Sequence, residues 1–275
     1  MKAPNDEHSE DSRAASGSAM LSIGRLFDFI GQLTLFGLKA LRDAFRPPLE
    51  FAYFLKQVQQ IGTNSLSLIL ASGFALGIVM TLHTRSTLVQ FGAAADIPNF
   101  QSMAFFNEIG PLVAGLLLAG RVGAGIGSEL ANMRATEQID AIETLSINSF
   151  KFLVVTRILA CIVVLPLLTV FMDFAGILGG YVSEHVSSHL SWRLYLDRAF
   201  DGLALANFIP PTLKTAVFGF IIGTVSCYFG YTTNEGADGV RRASTNSVVL
   251  SSLLIILSDV LLVKCIFFFF PAQAI

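Results

Sequence analysis

The sequence predicts an all-α integral membrane protein, with an N-terminal interfacial (elbow) helix followed by five transmembrane helices. Two compositional observations and one of pattern support this. Of 275 residues, 53% are apolar and 14% charged, whereas a soluble domain carries about 25% charged residues. Mean hydropathy is +0.65. Five mostly apolar segments are each long enough to cross about 30 Å of hydrocarbon at about 1.5 Å per helical residue.

Residues 1–20 (MKAPNDEHSEDSRAASGSAM) are polar and Ser/Ala-rich, with no apolar stretch near the start. This composition predicts a disordered cytoplasmic tail and no secretory signal peptide. From Leu21 to Phe45 apolar residues recur at helical spacing (Ile23, Phe27, Ile30, Leu38, Leu41, Phe45), interrupted by Arg25, Lys39 and Arg42 and ended by Pro47-Pro48. Asp28, Gln32 and Lys39 leave no uninterrupted apolar run, so residues 21–58 read as an interfacial amphipathic region, with a short tilted span as the alternative.

A five-span domain is expected over 59–272, with spans at about 61–83, 103–126, 152–180, 208–230 and 247–270. Lys2, Arg13, Arg25, Lys39, Arg42, Arg46 and Lys56 precede the first span. Arg134 and Lys151 lie between spans two and three, and Arg241 and Arg242 between four and five. The opposite side holds Arg85, Arg193 and Arg198. The positive-inside bias predicts a cytoplasmic N-terminus and an external C-terminus. Glycine pairs at four-residue spacing (Gly73 and Gly77, Gly123 and Gly127, Gly176 and Gly180, Gly219 and Gly223) allow close helix approach, either within the chain's own bundle or against a second copy. Pro166 is expected to kink the third span.

Several chemistries are disfavoured. A net charge of −2 gives no surplus of positive charge to draw the chain onto nucleic acid. Cys161, Cys227 and Cys265 all fall in apolar runs without a C-x-x-C, so they read as small core hydrophobes rather than disulfide or zinc ligands. Gly115 to Val122 imitates a phosphate loop but has Arg121 and Val122 where Lys and Ser/Thr belong. Gly123 to Ser128 lacks the last glycine of a dinucleotide loop. If cargo moves uphill, ATP hydrolysis is expected on another chain, and this chain carries no cofactor of its own. Glu184, His185 and His189 supply no third strong zinc ligand and read as part of a solvated outer loop helix.

Charges inside the spans are the sharpest signal, because one at the bilayer centre costs about 2.5–3.5 kcal/mol. Glu108 lies about five residues into the second span and Lys214 about six into the fourth, which puts both roughly 8–9 Å below the outer boundary. Equal depth predicts an encounter: a buried ion pair, or a seat for a zwitterionic head group with Lys214 on phosphate and Glu108 on an amine. Asp173 and Lys264 lie near outer ends where they can snorkel. Asp259 is deeper and reads first as structural, since it and Lys264 do not share a helix face. Between Glu129 and Leu145, Met133, Ile139, Ile142 and Leu145 form an apolar stripe. Arg134, Glu137, Gln138, Asp140 and Glu143 decorate the rest, giving a short amphipathic helix on the cytoplasmic side. Its mostly acidic polar face is repelled by anionic lipid, which favours docking to a protein partner.

The runs NEIGPLVAGLLLAGRVGAGIGSELANMRATEQIDAI (Asn107 to Ile142) and GFIIGTVSCYFGYTTNEGADGVRRASTNSVV (Gly219 to Val249) resemble the MlaE/YrbE-type permeases of ABC lipid transporters, over about residues 25–270. The resemblance implies an MlaE-like permease fold in the bacterial inner membrane, with a periplasmic C-terminus. It implies a second copy of the chain, a cytoplasmic ABC ATPase that holds ATP and Mg, a periplasmic MCE-domain protein and a small STAS-domain protein as partners. It implies a phospholipid or related cargo and a contribution to outer-membrane lipid homeostasis. Glu108 and Lys214 match the family's lipid-cavity glutamate and lysine, and Asn107 beside them stands where some members carry arginine. The coupling region that meets the ATPase matches Met133, Arg134, Glu137, Gln138, Asp140, Ile142 and Leu145. Arg241-Arg242 replaces a smaller Gly-containing pair. Rival readings are an ion-coupled secondary transporter or channel using Glu108, Asp173 and Asp259, and a scaffold that transports nothing.

Overall fold

A computed structural model describes residues 24, 27–46, 50–201, 203, 208–233 and 236–269. The tail expected over 1–20 lies outside them. The described residues are helical with no strand: α1 over 27–44, α2 Phe51–Leu88, α3 Ala94–Ala135, α4 Gln138–Thr144, α5 Phe150–Ser188, α6 Trp192–Ala199, α7 Ile209–Thr232 and α8 Ala237–Phe269. Among them α2, α3, α5, α7 and α8 are long and apolar enough to cross a membrane. This is the all-α membrane architecture expected. The helices outrun the apolar windows: α2 continues from Phe51 to Leu88 around a window expected at 61–83. Hydropathy marks only what lies in hydrocarbon, whereas backbone hydrogen bonding carries a helix on into polar surroundings.

α5 and α7 form the interior, each with 67% of its apolar window buried, against 28% for α2 and 17% for α8. Small residues let α2 approach α5 closely. Its buried positions 57, 61, 65, 69, 73, 77, 81 and 84 run down one face, and a Cβ at Gly77 would overlap the backbone of Gly176. Gly219 and Gly223 meet the α5 backbone at Cys161 and Ile158, while Gly123 and Gly127 face Ser226 and Ser247. The four glycine pairs therefore pack this chain's own bundle. α5 runs as one helix through Pro166.

α1 lies against the bundle through Ala40 and Ala44, and its Phe36 ring meets Phe150 at 5.1 Å and Tyr228 at 5.5 Å. Phe27, Leu35 and Leu38 are exposed on it, so α1 is apolar on both its inward and outward faces.

At the Arg85 end, Gln101 of α3 ties four helices together. Its Oε1 accepts from Thr81 on α2 and, at 3.2 Å, from the Tyr195 hydroxyl on α6. Its Nε2 donates to the carbonyls of Gly77 and Gly176. Burial, reinforced by the nearby Glu184 charge, pushes the Tyr195 phenol above its ordinary pKa. Glu184 is not part of a solvated loop helix as expected. It is buried in the last turns of α5 and takes an ion pair from Arg85 at 2.6 Å. Nor does Asp173 snorkel: it is fully buried against Gly110, where a Cβ would collide with its carboxylate.

Candidate functional site

α3 is not a regular helix. Its hydrogen bonding widens to π turns at Phe105–Ile109 and Ala119–Gly123, and Pro111 follows the first. A proline has no N–H to give the carbonyl four residues earlier, which here is that of Asn107. In hydrocarbon a carbonyl denied that bond gains from another donor. Lys214 on α7 supplies it, with Nζ 3.2 Å from the Asn107 carbonyl oxygen.

The same ammonium lies 2.9 Å from Glu108 Oε2 and 3.0 Å from Asp259 Oδ1 of α8. Lys214 thus donates hydrogen bonds to two oxygens of α3 and lies in ion-pair contact with the Asp259 carboxylate of α8, so it fastens α3, α7 and α8 at one level. The predicted meeting of Glu108 and Lys214 is present in the structure. Asp259, read first as structural, completes the cluster. Sequence spacing compared it only with Lys264 on its own helix, and a partner across the bundle leaves no periodic trace. Asn107 enters through its backbone carbonyl, while its side-chain Oδ1 is buried without a partner.

The three charged side chains are unequally placed. Lys214 keeps 1% of its side-chain surface exposed and Asp259 7%, whereas Glu108 keeps 43%. The expectation that Lys214 presents itself to a phosphate is therefore corrected: its ammonium is held between the Asn107 carbonyl and two carboxylates and is sealed inside. Glu108 is the presented group, in a cluster of two carboxylates and one ammonium, which suits a cationic or hydrogen-bond-donating partner.

At the opposite end, the Met133 to Leu145 stretch is not one helix. α3 ends at Ala135, Glu137 adopts left-handed backbone (φ 59°), and α4 begins at Gln138. Arg134 bridges the break to Asp140 at 2.6 Å. Ile139 is buried, with Met133 and Ile142 packed partly against the core. Leu145 is 72% exposed and falls outside the expected stripe, because α4 ends at Thr144 and Leu145 lies beyond its last turn. Glu137, Gln138 and Asp140 face outward. Glu143 Oε1 accepts from Ser149 Oγ and, at 3.4 Å, from the Tyr231 hydroxyl, so α4 is tied to the ends of α5 and α7.

Five helices long and apolar enough to cross a membrane, a charge cluster shared by three of them and an outward acidic helix at one end make up the candidate site. The family profile described as "Permease MlaE" matches residues 54–265. The chain belongs to the MlaE permease family. It is 39% identical over 243 residues, 88% of this chain and 94% of the other, to a probable ABC transporter permease protein of Rickettsia bellii. To a probable ABC transporter permease protein of Synechocystis it is 32% identical over 205 residues, 74% of this chain and 78% of that protein. With the chloroplastic protein TRIGALACTOSYLDIACYLGLYCEROL 1 of Arabidopsis thaliana it shares 29% identity over 208 residues, 76% of this chain and 59% of the relative. As an MlaE-family ABC permease the chain is a non-catalytic, multi-pass membrane component, and ATP hydrolysis belongs to a separate ATPase subunit.

Proposed function

We propose that this MlaE-family permease moves phospholipid or a related lipid between the inner membrane and a periplasmic MCE-domain carrier, and so contributes to outer-membrane lipid homeostasis. The observation that supports it most directly is the Lys214 cluster, a set of charges at span depth that leaves Glu108 part-exposed on the bundle. Such a cluster suits a molecule whose polar end must be held while its chains stay in hydrocarbon. The Arabidopsis relative bears the name of a glycerolipid, which agrees with cargo of that class.

In this reading two copies enclose the lipid between their Glu108 faces, with the N-terminus cytoplasmic and the C-terminus periplasmic, as the basic loops suggest. The coupling surface is Met133, Arg134, Glu137, Gln138, Asp140, Ile142 and Leu145. A cytoplasmic ABC ATPase carrying ATP and Mg presses on it, and a small STAS-domain protein accompanies the assembly. Closure of the ATPase shifts α4, and the ends of α5 and α7 move with it through Ser149 and Tyr231. The test is lipid transfer by the reconstituted complex. Glu108→Gln is expected to lower transfer by about tenfold, roughly the loss of one charge-assisted contact, with subunit assembly unchanged, and Lys214→Gln to lower it at least as far in a less stable subunit. Wild-type transfer in both would remove the cluster from the lipid path.

A further inference from the structure

We infer that a polar hollow between α2 and α3, at the Arg134 end, is a second binding site, for the phosphate of a phospholipid head group in that leaflet. The hollow is open on one side and has a volume of about 150 Å³. Gln57, Gln60, Asn64 and Ser65 line it from α2, and Arg121 and Glu129 from α3. Positions 57, 60 and 64 share one helix face, as do 121, 125 and 129 on the other.

The charges in the hollow do not cancel. The Glu129 carboxylate is taken up by Arg157, 2.8 Å away and itself fully buried. Arg121 has no ionic or hydrogen-bonding partner among the described residues. One positive charge is left over, beside three side-chain amides and the Ser65 hydroxyl, which is buried with no partner. An unpaired guanidinium among such donors suits an anion with several acceptor oxygens, and a phosphate takes a guanidinium bidentately. There is room for it: a Cβ added at Gly125, between Arg121 and Glu129, would meet nothing within 4 Å.

Depth identifies the source. Arg121 lies five residues short of the span end expected at 126, about 7.5 Å inside the hydrocarbon, from which an arginine reaches back to the interface where lipid phosphates lie. It is 13 residues from Glu108, about 20 Å along α3, so this site and the Lys214 cluster are separate.

The ligand class rests on the lipid-carrying reading above, and a position-resolved experiment separates the two. The purified chain is placed in vesicles containing a phosphatidylglycerol analogue with a photoreactive head group, or the matched diacylglycerol analogue, and cross-linked peptides are mapped. Labelling of residues 57–65 and 121–129 by the phosphatidylglycerol analogue alone is expected. It should fall about tenfold in Arg121→Gln, recover in part in Arg121→Lys and persist in Lys214→Gln, as loss of a charge-assisted phosphate contact predicts. If Arg121→Gln does not fold, Asn64→Ala with Ser65→Ala weakens the opposite wall and is read the same way. Equal labelling by the diacylglycerol analogue, or labelling unchanged in Arg121→Gln, overturns the site. Displacement by excess inorganic phosphate overturns the lipid source. A disulfide between two Gly125→Cys copies overturns the site in favour of a second chain sealing the hollow. Persistent labelling in Lys214→Gln alongside normal lipid transfer would leave this site standing while the proposed role of the cluster fails.

Discussion

Lys214 is enclosed by oxygens, so its removal has two separable effects. Taking away one partner of a buried ion pair leaves an uncompensated charge and costs about 3–5 kcal/mol. Lys214→Met is therefore expected to lower the thermal unfolding temperature of the purified chain sharply. Pairing it with Asp259→Leu removes the carboxylate that the ammonium neutralised in the interior, since Asp259 is nearly as enclosed as the lysine. The double variant is expected to regain most of the lost stability, read by thermal unfolding, yet remain defective in lipid transfer. Recovery of both would make the cluster a structural clasp. Glu108 and Lys214 were legible in the sequence because an ionised group in hydrocarbon is rare enough to be conspicuous. Asp259 was conspicuous for the same reason, but its partner was not, nor was the Arg85–Glu184 pair, because a contact across the bundle leaves no trace in spacing along one helix.

At the scale of the element, α3 positions the site by departing from regular geometry. The π turn at Phe105–Ile109 adds a residue to one turn, and each added residue rotates the helix beyond it by about 100°. Pro111 keeps the Asn107 carbonyl free for Lys214. In Pro111→Ala the restored N–H competes for that carbonyl, so the turn is expected to close toward regular α-helix and swing Glu108 away from Lys214. Helical content by circular dichroism should stay level while lipid transfer falls severalfold, and normal transfer would show the proline to be incidental. The proline was visible in the sequence, but a π turn is invisible to apolar periodicity, which follows the α period. The same blindness made one helix of α4 and the end of α3. The left-handed residue at their junction is Glu137, not the glycine that ordinarily marks such a turn.

At the scale of the whole molecule, the Lys214 cluster and the acidic surface of α4 lie at different heights of one bundle, and α7 connects them. Lys214 and Tyr231 are 17 residues apart on it, about 25 Å. Two kinds of variant separate docking from transmission. Glu137→Lys with Asp140→Lys reverses the outward charges of α4 and breaks the Arg134 bridge, so it is expected to reduce recovery of the ATPase with the purified permease. Tyr231→Phe leaves that surface untouched but removes the hydroxyl that meets Ser149 at 2.8 Å and Glu143 at 3.4 Å. It is expected to preserve ATPase recovery and ATP hydrolysis while lipid transferred per ATP declines, because the motor still docks but its stroke reaches α7 less firmly. Unchanged ATPase recovery in the charge-reversed chain would move the docking surface away from α4. An unchanged transfer ratio in Tyr231→Phe would mean that the stroke travels through the packed Phe36, Phe150 and Tyr231 rings rather than the hydrogen bonds beside them.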